Sequence, residues 1–267
     1  TLAVLEHLTP SEYGAVRIEG ERLTEFVEKP NSDDFRLINA GVYAFDSSVF
    51  DAIDRTPRHE GELTLPDVIE ALMHDGTVHA VTTDGLWVDA TYPWDLLYLM
   101  RELLSRGLVS QPKVDAQVWV AESARIHPDA TLQGPVVVGP DSEIGAGAVL
   151  GPNVAVGRNA TVGANATLRD VLLDGDCRIE AGATLLDCVA GETATVGAGT
   201  VVPGGPGDVR VGDTVFENQR LGAVLADRVS VGGGVTFSPG TLVGAGVDIA
   251  PGVYATGTIA DGTEVVR

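Results

Sequence analysis

From Val114 to Leu168 every sixth residue is aliphatic, ten in succession. The position four further on is small or apolar each time, from Val118, Ala124 and Ala130 through to Leu172. The residue directly after the aliphatic is Gly at 139, 145, 151, 157 and 163. Such a hexad reads as one short flat strand and a corner: the aliphatic points inward, the small residue turns the corner, and Gly adopts backbone conformations that other residues resist. Three hexads close a triangular coil of about 18 residues, and coils stack at the strand spacing of about 4.8 Å. The rhythm slips after Leu168 and resumes at Ile179, Leu185, Val196 and Val202, then from Leu225 to Ile249. Between them, Pro203 to Leu221 with its Pro-Gly-Gly-Pro-Gly-Asp run predicts a loop projecting from one corner.

Before Gly107 the pattern is different. Val16–Ile18 and Leu23–Val27 flank Glu19-Gly20-Glu21, a hairpin signal. Gly41–Phe45 reads as a buried strand. Helices are expected at 48–54, 66–74 and 93–105, the last with Leu96, Leu97, Met100, Leu103 and Leu104 at helical spacing. The fold class is thus α/β over residues 1–107, followed by a parallel β-helix over 108–267. The helix before Gly107 is placed to cap the first coil.

Charge narrows the partners. The net charge is −21, with two lysines, Lys29 and Lys113, against fifteen arginines. A field of that sign disfavours nucleic acid and anionic membranes. Its even spread and scarcity of Lys suit a halophilic cytoplasm, where salt screens nearly all repulsion. No apolar run approaches the roughly 18 residues a membrane helix needs. Cys177 and Cys188, the only cysteines, form no metal-binding pattern and read as small core residues.

Four motifs occur in order before the hexads: Tyr13-Gly14, Phe26-Val27-Glu28-Lys29-Pro30, Ile38-Asn39-Ala40-Gly41 and Trp87-Val88-Asp89. Together they resemble the second half of a sugar-1-phosphate nucleotidyltransferase domain, of the glucose-1-phosphate thymidylyltransferase and glucosamine-1-phosphate uridylyltransferase type. Members of that group often carry a hexapeptide-repeat β-helix, and the resemblance implies its left hand, which a six-residue period alone does not fix. It implies as substrates a sugar-1-phosphate and a nucleoside triphosphate, with Mg²⁺ as cofactor. Lys29 then matches the lysine that contacts the sugar phosphate. Glu28 matches a carboxylate on the sugar hydroxyls, and Tyr13, Gly14, Asn39 and Gly41 match the strand ends that hold the sugar. Asp89 matches the second aspartate of the metal pair, a donor set that suits Mg²⁺ completed by phosphates. Glu62–Ile69 resembles a segment opening a helix near the sugar. Without that context Glu28-Lys29-Pro30 also reads as an exposed strand end, Asn39 as a turn residue and Asp89 as a helix cap.

Two departures stand out. Thr91 occupies a position where the family usually has Gly. The family's Gly-rich loop with Thr-Arg and a downstream Lys, and its first metal aspartate, have no counterpart in these residues, so the chain alone is expected to lack transferase activity. An acyltransferase reading of the β-helix would need a histidine base. The only one there, His127, stands beside an inward aliphatic and reads as a surface residue. A trimerising or otherwise oligomerising platform is the expected role, with a non-catalytic sugar-phosphate-binding module as a further alternative.

Overall fold

A computed structural model describes residues 1–32, 34–58 and 61–266. The chain forms two compact units, Thr1–Val88 and Asp89–Arg267. The division falls earlier than residue 107, because the last helix packs with the repeats.

The first unit is a five-stranded sheet with two helices. Its elements are β1 (Leu2–Glu6), β2 (Gly14–Glu19), β3 (Arg22–Glu28), β4 (Leu37–Tyr43), α1 (Ser48–Arg55), α2 (Leu65–Asp75) and β5 (Ala80–Thr82). Spatial order is β3-β2-β4-β1-β5. The β2–β3 hairpin turns at the expected Gly20, whose φ of 61° is in the left-handed region. Helix α2 opens on a capping box, Thr64 and Asp67 bonding each other's backbone N–H. Its Ile69 joins Leu2, Val4, Val16, Leu23 and Phe26 in a core on one sheet face. The opposite face buries Leu5, Ile38 and Ala40 beneath Tyr13 and Trp87.

The strand expected at 41–45 is less buried than its composition suggested. Val42 is 64% exposed and Phe45 39%. Only Leu37 and Ile38 of β4 pair with β2. Beyond them β4 keeps β1 alone and bulges: Leu2 faces Tyr43 whereas Val4 faces Asn39, leaving the three residues Ala40–Val42 opposite Ala3, with Gly41 at φ 76°.

The second unit begins with α3 (Asp95–Arg106), closed by Gly107 at φ 66° with the Leu108 N–H on the Leu103 carbonyl. A parallel left-handed β-helix of about eight turns follows. Partners on one face are 18 residues apart at Val118, Val136 and Val154, then 17 apart at Val154, Val171 and Cys188. Losing one residue per coil explains the slip after Leu168. It also corrects Leu172: Val171 and Leu173 enter the core, while Leu172 turns outward toward α3.

Three further expectations change. Val114 is 61% exposed. It lies in a strand, Lys113–Asp115, that runs antiparallel to Val118–Val120 and covers the hydrogen-bonding edge of the first coil. That strand, and not α3, closes this end. Helix α3 instead lies along an outer face, with Leu97, Met100 and Leu104 against Trp119, Val189 and Val224. The inter-coil glycines at 139, 145, 157 and 163 do not take up left-handed φ. A Cβ there would meet the next coil's backbone at 2.6–2.7 Å, so close approach selects Gly.

The predicted loop is a β-hairpin, Gly207–Val211 with Thr214–Gln219. It folds back over the α3 side, burying Val209 and placing Phe216 4.7 Å from Tyr92 and 5.3 Å from Trp94, ring centre to ring centre. A charged cluster fastens both additions to the coils. Asp170 and Asp187, nearly buried at one left-handed corner of successive coils, accept from Arg101 of α3 and from Arg220 beyond the hairpin, at 2.7–3.2 Å. Asn153, at the same corner one coil earlier, donates to Asp170 at 3.0 Å.

Candidate functional site

Three of the candidate residues form a row across one sheet face. Gly14 pairs with Glu28, and the register Ala15 to Ile38 sets Gly14 beside Asn39. Side chains alternate along a strand, and cross-strand partners share a face. Phe26, two residues from Glu28, and Val4, the partner of Asn39, both pack in the α2-side core, so the row belongs to that face. Glycine is required in the middle: a Cβ at Gly14 would come within 3.0 Å of both the Glu28 carboxylate and the Phe26 ring. The carboxylate therefore overlies bare backbone, with Asn39 on the far side.

Asn39 is held at both ends of its amide. Its Oδ1 accepts the Gly41 N–H at 3.0 Å, and its Nδ2 donates to the Tyr43 hydroxyl at 2.5 Å. The expected turn-like behaviour of Asn39 is thus also present, since the first bond supports the bulge at Gly41. Sequence reasoning missed Tyr43 as a partner. The spacing of four residues gave no signal, because only the bulge brings the two side chains together.

Lys29 ends β3 in the left-handed region, φ 44°, an uncommon place for a long side chain. Its N–H is bound by the Tyr13 carbonyl at 3.0 Å, and its ammonium forms no ion pair among the described residues. Tyr13 itself is directed away from the row. It lies on the opposite sheet face, 4.8 Å from His7 and 5.3 Å from Trp87 between ring centres. The Trp87 indole N–H reaches the Ala40 carbonyl at 3.0 Å, fixing the strand just before Gly41.

Asp89 belongs to the second unit. It is exposed, and its Oδ1 accepts the Thr91 hydroxyl at 3.0 Å, leaving the other oxygen without a protein donor among the described residues. It does not cap α3: Asp95 takes the Tyr92 N–H there, at 2.7 Å. The Glu62–Ile69 segment does open a helix, α2. Among the described residues no three His, Cys, Asp or Glu converge as a metal site. In the β-helix, burial pushes the thiols of Cys177 and Cys188 up to about 11 and about 12, so both are inert core residues at neutral pH. No helix among the described residues is long and apolar enough to cross a membrane.

The comparisons with known proteins cover both units. Residues 1–106 match the nucleotidyl transferase family, and residues 132–260 match the GMPPB C-terminal domain. A bifunctional sugar-1-phosphate nucleotidylyltransferase/acetyltransferase of Sulfurisphaera tokodaii is 30% identical, over 91% of this chain and 65% of its own length. A bifunctional protein GlmU of Methanocaldococcus jannaschii is 31% identical, over 91% of this chain and 63% of its own. A putative mannose-1-phosphate guanyltransferase of Sulfolobus acidocaldarius is 29% identical over 54% of this chain and 38% of its own. The chain thus spans a little under two thirds of the two longer matches. Through its sheet unit and its repeats alike, it is similar to sugar-1-phosphate nucleotidylyltransferases.

Proposed function

We propose that this chain supplies the sugar-phosphate side of a nucleotidyl transfer in sugar-nucleotide biosynthesis. In that reaction a sugar-1-phosphate oxygen attacks the α-phosphorus of a nucleoside triphosphate, the bond to the β-phosphate oxygen breaks, and pyrophosphate leaves. The observation that carries the reading is the Glu28–Gly14–Asn39 row, with Lys29 following the same strand and its ammonium in no ion pair among the described residues. Carboxylate and amide offer acceptors and donors to ring hydroxyls, Gly14 leaves the Glu28 carboxylate room to lie over the strand, and Lys29 answers the phosphate. Gly41 contributes through the bulge that orients Asn39. Tyr13, on the other face, contributes its carbonyl, which fixes Lys29.

Mg²⁺ fits this scheme as a partner of phosphates. Within the second unit Asp89 would hold such an ion through the carboxylate oxygen that has no protein donor among the described residues, and the ion would supply neutralisation of phosphate charge. The groups that bind the triphosphate are not assigned within these 267 residues. His127 Nδ1 accepts the Asp129 N–H at 3.2 Å, a local bond at its own corner that gives no support to a role as the base of acetyl transfer. The β-helix is read as the platform, one that could join copies of the chain.

Calorimetric titration with α-D-glucose, α-D-glucosamine and α-D-mannose 1-phosphates tests the proposal. Saturable binding of at least one, weakened about tenfold or more by Lys29→Ala and by Glu28→Gln, is the expected result. Absence of binding by all three, or binding indifferent to both substitutions, would refute it.

A further inference from the structure

We infer that Tyr43 is a positioning residue of the sugar subsite, acting through Asn39; this rests on the sugar-phosphate reading above. The amide orientation is fixed by chemistry. A backbone N–H can only donate, so the atom facing Gly41 N at 3.0 Å is the carbonyl oxygen, and the amide nitrogen must face Tyr43. At 2.5 Å the Tyr43 hydroxyl is then the acceptor. That leaves its own proton free to donate elsewhere, while Asn39 keeps one N–H and one lone pair for a ligand.

The phenol is itself held. Its ring packs against the α2-side core, and Phe45 stacks on it at 5.6 Å between ring centres with planes 14° apart. An amide fixed at one end alone would still pivot about its terminal torsion, which is broad. Tyr43 removes that freedom, so the spare N–H of Asn39 keeps one direction, across Gly14 from Glu28. Backbone pairing with β1 holds β4 on either side of the bulge, and Phe at 43 would preserve the ring's packing. What Phe would lose is the aim of the amide.

Tyr43→Phe in the 267-residue chain is the test, with the sugar 1-phosphate bound by the wild type and inorganic phosphate as the two probes. The expected result is about a tenfold loss of sugar-phosphate affinity with phosphate affinity unchanged. In ligand-free protein the Asn39 side-chain amide signals, identified by their loss in Asn39→Ala, should move in Tyr43→Phe. In an Asn39→Ala background Tyr43→Phe should add nothing. A loss under about twofold, an equal loss for both probes, unmoved Asn39 amide signals, or an additive loss in the double variant would each overturn the inference. If the wild type binds no sugar phosphate, the functional reading falls and this inference with it. Wild-type binding with an indifferent Tyr43→Phe overturns this inference alone.

Discussion

The two units solve the same burial problem in opposite ways. In the β-helix each inward residue rests on its counterpart one coil away, and Leu150, Leu168 and Leu185 are completely buried. Every coil needs only its neighbours, so a single rule repeats. In the sheet unit the two faces have separate small cores, and Val42, Phe50 and Val81 remain 57–67% exposed. Backbone irregularity follows the same divide. Left-handed residues in the repeats recur at corners and are mostly Asn, Asp or Gly; in the sheet unit they fall singly, at Gly20 in the hairpin turn, at Gly61, and at Lys29 and Gly41, the last two belonging to the candidate site. Regular stacking makes a platform, and the places where a sheet's pairing is interrupted carry the candidate chemistry.

The largest test of that contrast is Leu185→Ala. A cavity between coils whose neighbours cannot collapse should cost about 4 kcal/mol. Hydrogen exchange should show the loss among amides of the repeats, with the sheet amides of β1–β4 little changed. Uniform weakening of both units would break the distinction. Asp170→Ala should follow at about 3 kcal/mol, since it strands part of the Arg101 and Arg220 charge against a nearly buried Asp187. Denaturation monitored through Trp119, on the face that α3 covers, and Trp94, at the N-terminus of α3, would read the loosening. An unchanged midpoint would mean that apolar packing alone fastens α3 and the hairpin.

Much of the β-helix was legible because its rule is local: a six-residue period is a property of consecutive residues. Errors arose where the rule shifted by one. Val114 keeps the period but belongs to a strand that folds back, and Leu172 keeps it but follows a shortened corner. The hairpin at 207–219 was hidden by the Gly and Pro residues that enter it. The site was legible only as motifs. Glu28, Gly14 and Asn39 come from three strands, and their alignment depends on register that no one segment encodes. Tyr13 shows the cost: it adjoins Gly14 in sequence, yet alternation sends its ring to the opposite face. The Asn39–Tyr43 contact needed the bulge at Gly41, a tertiary feature.

A smaller effect should come with pH, and again in the repeats alone. Burial raises the folded-state thiols of Cys177 and Cys188 from 9.0 to about 11 and about 12. Above pH 9 the unfolded chain loses these protons while the folded chain keeps them. The unfolded state then binds fewer protons, so stability falls as pH rises from about 9 toward 12, and is intact below that window. Urea midpoints across this range should drop for the wild type and drop less for a Cys177→Ala, Cys188→Ala variant. Parallel curves would show that the thiols contribute nothing.

The smallest expected change belongs to the sheet unit. Thr64 accepts the Asp67 N–H and Asp67 accepts the Thr64 N–H, both at 3.4 Å, with a shorter 2.7 Å bond between the two side chains. The backbone bonds are long and the site is exposed, so Thr64→Ala should cost about 1 kcal/mol. The consequence is local: α2 brings Ile69 onto the sheet face that also carries Glu28 and Asn39, so fraying of its first turn should raise exchange in α2 before β4. Thr64→Ser, which keeps the hydroxyl, should restore most of the loss. If Thr64→Ala instead loosens the repeats as much as α2, the two units do not respond separately, and the contrast between a regular platform and an irregular site loses its physical basis.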